Sequence, residues 1–290
     1  MRNIFIDELT KAAKKNKKII LVVNDLGYSV IENFAQKFPN QFFNAGVAEQ
    51  NMMGLASGLA MEGNHVFVYS IGNFPSFRCA EQIRNDIDYH NLPVTIVNVG
   101  GGLGYGSLGY SHHSLQDYAL LRIFPNILIA SPCDNMEARS CVRYLIKNPQ
   151  PSYLRLVKKN NFLFHKELPK VKPGDWIRLK RSKKKRKAFL ITGGTSNLLE
   201  NKLSKKKYKE YEAYSIPLWG MKHKSKQNIK IRKWKEIITL EDHFSDGGFG
   251  SWLKESYNGN KTKIFSESIG TNVTGKTGTE SYLIKKYFSK

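Results

Sequence analysis

Cysteine is scarce. The three present in 290 residues, Cys79, Cys133 and Cys141, cannot all pair and show no metal-ligand spacing, which argues against a secreted disulfide scaffold and against a zinc module, so no metal ligand is expected on this chain. Also lacking is any uncharged apolar run of the ~18–20 residues a membrane span needs. The opening stretch, MRNIFIDELTKAAKKNKK, carries charges throughout and patterns as an amphipathic helix, not as an apolar signal sequence. These absences predict a soluble cytoplasmic protein without a membrane partner. What is present suits packed cores: 41% of residues are hydrophobic and 12% aromatic, which excludes wholesale disorder. The length fits one or two domains.

Acidic residues are sparse in one half only. Residues 1–150 hold 13 basic and 12 acidic groups, whereas residues 151–290 hold 33 and 12. Nearly all of the net charge of +22 therefore lies in the second half. A basic half attracts phosphate-bearing partners over a Debye length of ~8–10 Å, but solvated surface lysines account for the same excess. Charge alone does not make nucleic acid a partner; steep salt dependence of binding to random duplex DNA would be its mark.

The first half alternates strand-like and helix-like segments. Short apolar strands are predicted at 18–23, 42–44, 65–69, 94–99, 127–130 and 152–156, with helices at 3–16, 30–38, 48–61, 77–89, 114–122 and 134–146. Continuous apolar strands between helices mean a parallel sheet covered on both faces. The prediction is a doubly wound α/β domain over 1–157, a basic linker over 158–187 containing Pro169, Pro173 and the run Arg181–Lys187, and a smaller α/β domain over 188–290. In the last, strands at 188–192 and 237–240 precede the turn Gly247–Gly250, which opens a helix. The segment Ala48–Met61 is small or apolar around most of its circumference, which predicts a helix buried on every side.

Three features carry candidate chemistry. The loop Gly100–Gly109 contains a GxGxxG at Gly104, Gly106 and Gly109. A dinucleotide site wants that motif on the first βα turn with an acidic residue about 20 positions on, and neither condition holds; a loop passing close to another ligand, or turn geometry alone, remains open. His112 and His113 follow at a helix start, where imidazole suits proton transfer or simple surface hydrogen bonding. Glu49 stands at the mouth of the Gly/Ala-rich helix. It either complements the helix dipole or is drawn into a desolvated place, where a carboxyl becomes a proton-sharing device.

Gly46-Val47-Ala48-Glu49-Gln50, the run Ser70–Arg84, the glycine loop ending in His112, Pro125-Asn126-Ile127, Pro132 and Pro151-Ser152-Tyr153 occur in the order found in the transketolase family. They resemble its pyrimidine-binding domain, and Glu241-Asp242-His243 through Gly250 resembles its C-terminal domain. The resemblance implies thiamine diphosphate held between two polypeptide regions. A Gly-Asp-Gly…Asn motif holds the diphosphate and Mg²⁺ in the family, and no Gly-Asp-Gly occurs here. The chain therefore resembles half of a split enzyme, inactive alone, whose N-terminal partner subunit supplies that motif in an α2β2 heterotetramer.

By the same resemblance Glu49 hydrogen-bonds the aminopyrimidine and shares its proton. Phe74 lies against the ring, with Ile71 where a second aromatic often stands and Arg78 beside them, although Phe74 also fits a core position. His112 and His113 line the substrate channel. Asp25, Ser29 and Lys158 fall where a sugar phosphate is held, the lysine as a point charge, not a bidentate fork. Gly100 and Leu108 stand where hydroxyl-binding groups occur in sugar-using relatives, which implies altered specificity. The implied reaction is transfer of a two-carbon ketol unit between sugar phosphates or a nucleotide-linked sugar. The alternatives are a decarboxylating relative (a 2-oxo acid dehydrogenase β-subunit or a deoxyxylulose-phosphate-synthase-like enzyme) and a non-catalytic partner that keeps only the fold.

Overall fold

Short apolar runs rich in β-branched residues make the interior strands of the first sheet, and the computed structural model describes residues 1–158, 162–182 and 186–288. Along the chain these strands are β1 (Ile19–Val23), β2 (Phe42–Asn44), β3 (His65–Ile71), β4 (Val94–Val99), β5 (Leu128–Ala130), β6 (Ser152–Leu156), β7 (Ile177–Lys180), β8 (Lys187–Ile191), β9 (Glu212–Ser215), β10 (Leu218–Trp219), β11 (Glu236–Leu240) and β12 (Lys263–Glu267). They form a seven-stranded sheet in the order β10-β5-β6-β4-β3-β1-β2 and a five-stranded sheet in the order β12-β11-β8-β9-β7. Each is parallel except for one edge strand, β10 against β5 and β7 against β9. The predicted α/β class, with a larger and a smaller wound sheet, is the observed one. Among the described residues no helix is long and apolar enough to cross a membrane.

The chain divides differently from the expected linker. β7 lies inside 158–187 and closes the edge of the second sheet. Its sequence, Ile177-Arg178-Leu179-Lys180, alternates apolar and basic, as an edge strand does, and so disappears into a lysine-rich stretch. Lys183–Lys185, the centre of the expected basic run, lie outside the described residues. β10 crosses back from the second half to the first sheet, pairing Leu218 with Ala130 and Trp219 with Ile129. Trp219 is buried there against Tyr118, Phe249 and Trp252.

Two helices correct the sequence reading. The helix Glu49–Met61 is buried on one face only, through Met52, Met53, Ala56, Ser57 and Ala60; Gly54, Leu55, Gly58 and Met61 face outward. Composition records that its surface is apolar, not which side the sheet covers. The single helix expected at 77–89 is broken into turns at Phe74–Phe77 and Ala80–Gln82 and a π-helical turn at Ile83–Asp88, the wider winding often found beside functional sites. On the other face of the sheet, the helix Asn135–Lys147 starts on the Asp134 carboxylate, which accepts from the Glu137 N–H at 2.8 Å. This helix lies along the N-terminal helix Arg2–Lys15, where buried Glu8 takes up Arg139 and Arg143.

Candidate functional site

Parallel strands place their carboxyl ends, and the loops that follow them, on one rim of the sheet. β1 is followed directly by Asn24, β2 leads through Gly46 into the helix that begins with Glu49, and β3 ends in Ile71 before the turn at Phe74. Glu49 is buried, and its Oε1 accepts from Asn24 Nδ2 at 3.1 Å and from Arg78 Nη1 at 2.8 Å. Both bonds fall on one oxygen; Oε2 accepts none among the described residues. Next to it, Asn24 Oδ1 is buried and has no partner among the described residues. A cavity of about 500 Å³ opens here, lined by Val47, Ala48, Glu49, Gln50, Asn51 and Arg78.

Arg78 joins this carboxylate to a row of rings. Its guanidinium carbon lies 4.4 Å from the centroid of Phe74, a cation–π contact. Phe74 meets His112 edge to face at 5.1 Å, His112 lies 6.4 Å from Tyr105, and Lys158 Nζ sits 4.6 Å from the Tyr105 centroid. Segments that follow β2, β3, β4 and β6 are therefore strung together by contact. Burial lowers the pKa of His112, and His113 and Arg78 lower it further, so the ring is neutral near pH 7 and able to accept a proton. Its Nδ1 is 3.0 Å from Ser111 Oγ.

The remaining candidates are spread more widely. His113 points inward: it is buried, its Nε2 lies 3.3 Å from the Gly106 carbonyl oxygen, and its Nδ1 has no partner among the described residues. Ile71 is half-buried at the end of β3. Asp25 adjoins the site through its neighbour Asn24 and takes a left-handed φ of 58° with Asn44 bonded to both its N–H and its carboxylate. Ser29, also left-handed at φ 63°, is exposed, and its N–H donates to Glu32 Oε1 at 2.6 Å. Leu108 is exposed on the glycine loop. Gly100 has φ 86°, and a Cβ there would collide with the Tyr105 ring. Two further loop glycines pack against the second half of the chain. A Cβ on Gly102 would come within 2.8 Å of Asp242 Oδ2, and one on Gly106 within 2.7 Å of Leu283. Within the GxGxxG, Gly106 and Gly109 thus pack against the C-terminal segment, a Cβ on Gly109 lying 3.3 Å from Thr277, whereas Gly104 lies against Gly100 of the same loop.

Sequence reasoning missed Asn24 and Tyr105. Asn24 orients Glu49 through a contact between positions 25 residues apart, which no local pattern marks. It also missed the buried ion network under the loop. Arg155 is wholly buried; its Nε donates to Asp117 Oδ2 and its Nη1 to Asp242 Oδ1, each at 2.7 Å, while its Nη2 donates to the Ser114 carbonyl oxygen at 2.8 Å. This network ties β6 to the segment after β11 and fixes the base of the His112 loop.

Comparison with known proteins gives this geometry a context. The family described as transketolase, pyrimidine binding domain, matches residues 1–162. One of the subunits of the apulose-4-phosphate transketolase of Phocaeicola vulgatus is 41% identical over 156 residues, 53% of this chain and 50% of that protein; the match thus spans about half the length of this relative. A Methanocaldococcus jannaschii protein, provisionally named as a transketolase C-terminal section, is 32% identical over 99% of this chain and 91% of its own length. A solved structure described as a split gene transketolase in an inactive beta4 tetramer superposes with a TM-score of 0.79 at 26% identity, covering 99% of this chain and 92% of that one.

Proposed function

The chain belongs to the transketolase family, and from that premise we propose that it is the C-terminal subunit of a split, thiamine-diphosphate-dependent enzyme that transfers a two-carbon ketol unit between sugar phosphates. The observation that carries this reading is a buried carboxylate, Glu49, in the lining of an open cavity, held through one oxygen while the other has no partner among the described residues.

The residues at the cavity fit the ring end of this cofactor. An aminopyrimidine is flat and hydrogen-bonding, and Glu49, the buried Asn24 Oδ1 and the half-buried ring of Phe74 offer polar and apolar contacts for it. A divalent ion with a diphosphate is a poorer fit, because the cavity lining holds one carboxylate and Mg²⁺ takes several hard oxygen ligands. Mg²⁺ and the diphosphate therefore fall to an N-terminal partner subunit with a Gly-Asp-Gly…Asn motif, in an α2β2 assembly. When bound, thiamine diphosphate supplies an electron sink that no side chain offers.

Mechanism follows from what the chain's own groups do. Asn24 and Arg78 hold Oε1, so the carboxyl plane is oriented and Oε2 is left to hold or pass a proton at a ring nitrogen. Burial of Glu49 keeps competing water away from that bond. His112, neutral near pH 7, is placed to exchange a proton with a substrate oxygen. Lys158 supplies a point charge for a phosphate, with Asp25 and Ser29 on the loop after β1 as further contacts. Gly100 and the apolar Leu108 offer no polar side chain to sugar hydroxyls, which supports a substrate other than the standard pentose phosphates.

Reconstitution with a partner that carries Gly-Asp-Gly tests the reading. The wild-type mixture should bind thiamine diphosphate and transfer a ketol unit. Glu49→Gln should co-purify with the partner yet lose about 10²–10⁴-fold in turnover, the usual worth of a positioned acid–base group. Full activity in Glu49→Gln would sink the proposal. Turnover of xylulose 5-phosphate and ribose 5-phosphate equal to a standard transketolase would remove the altered specificity, and pyruvate-dependent CO₂ release would instead identify a decarboxylating enzyme.

A further inference from the structure

Away from this cavity, the fold assembles a ligand set that sequence spacing does not show. Cys133 Sγ, a Glu137 carboxylate oxygen and a His165 ring nitrogen lie within 4.8 Å of one another. Cys133 stands just before the N-cap Asp134 and Glu137 in the first turn of the helix Asn135–Lys147, whereas His165 arrives from the segment after β6. The expectation of no metal ligands rested on the absence of a local Cys/His motif, and a set closed by a residue 28 positions away leaves no such motif.

We propose that Cys133, Glu137 and His165 form a binding site for a single Zn²⁺ ion. Zinc takes sulfur, nitrogen and carboxylate oxygen together, in tetrahedral sets with ligand distances of about 2.0–2.3 Å, so a set spread over 4.8 Å closes around it with small side-chain movements. A second observation points to a ligand. His165 Nε2 is buried with no hydrogen-bond partner among the described residues, in a side chain only 9% exposed, while Nδ1 is engaged with Asp134 Oδ2 at 2.8 Å. This carboxylate–imidazole pairing fixes ring and tautomer and leaves the far nitrogen for an ion, as around many zinc sites. Asp134 Oδ2 also accepts from the backbone N–H groups of Phe164 and His165 at 3.0 Å, which holds the ring in place.

The remaining partners complete the surroundings. Ser215 Oγ donates to Glu137 Oε1, and the Cys133 N–H donates to Glu137 Oε2 at 2.6 Å. A thiolate, a carboxylate and a neutral imidazole around Zn²⁺ sum to zero charge, which suits a site closed to solvent. Binding therefore forms a sulfur–zinc bond as the thiol proton leaves for solvent, with no change of oxidation state. With Ser215 at the end of β9, the ion would staple the first sheet, the connecting segment and the second sheet at one point.

The full chain, stripped with a chelator, is titrated with Co²⁺ and then with Zn²⁺. One Co²⁺ per chain should bind with a sulfur-to-cobalt charge-transfer absorption in the near ultraviolet. Zn²⁺ should displace it and raise the melting temperature. Cys133→Ser should lose the band, and His165→Gln should weaken Co²⁺ binding about tenfold or more, since even outer-shell partners cost that much. Cys141→Ser, buried in the same helix outside the set, should keep the band. A wild-type chain without the band, or a band that survives Cys133→Ser, overturns the proposal. The wild-type titration decides without any variant should Cys133→Ser fail to fold.

Discussion

Arg78 faces two ways: Nη1 donates to Glu49 Oε1 at 2.8 Å, and the guanidinium carbon stands 4.4 Å from the Phe74 ring centroid. One half-exposed side chain therefore connects the buried carboxylate to the aromatic row, and its charge reaches the histidine beyond.

Arg78→Leu should raise the His112 pKa, because removing a nearby positive charge favours the protonated ring. Burial and His113 still depress it, so the ring should stay below its ordinary range. The titration of His112 by NMR reads this directly. An unshifted curve would mean that the Arg78 charge does not reach the ring.

Arg155→Met should cost about 3–5 kcal/mol of stability by urea unfolding, because it leaves Asp117 and Asp242 buried without their counter-ion. Adding Asp117→Asn and Asp242→Asn should recover part of the loss. A single variant as stable as wild type would show that the two carboxylates find other partners.

Glu8 sets an acid limit. Burial raises its pKa, but Arg143 and Lys11 outweigh burial and bring it down from 4.5 to about 2. A depressed carboxylate stabilises the fold above its unfolded pKa, and that contribution disappears as pH falls from about 4.5 to about 2. With Arg143 half exposed, solvent screening limits the effect to about 1 kcal/mol. Glu8→Gln should therefore be less stable than wild type at pH 7 by that amount, with the gap closing near pH 2. A gap constant with pH in denaturant melts would assign the loss to packing.

Much of this was readable in order along the chain. Ile19–Val23 and Val94–Val99 are runs dominated by β-branched residues and became interior strands, since a strand covered on both faces has little polar side to hide it. Glu49 stood out as one acid before a helix of small and apolar residues, and it is buried. β7 was concealed because edge strands carry charge, and β10 because two residues hold no period. The outward face of Glu49–Met61 was misread because hydrophobicity records what a surface is made of, not what covers it.

Local pattern thus determined the six parallel strands of the first sheet, most of the helices between them and the acid at the mouth of one of them, because period and composition act over a few neighbouring residues. Tertiary structure alone decided that Asn24 and Arg78 grip the same oxygen of Glu49, that His112 meets Phe74 while His113 turns inward, and that Cys133, Glu137 and His165 come together. Such meetings rest on the crossing of strands far apart in the chain, and no window of sequence contains both ends of the contact.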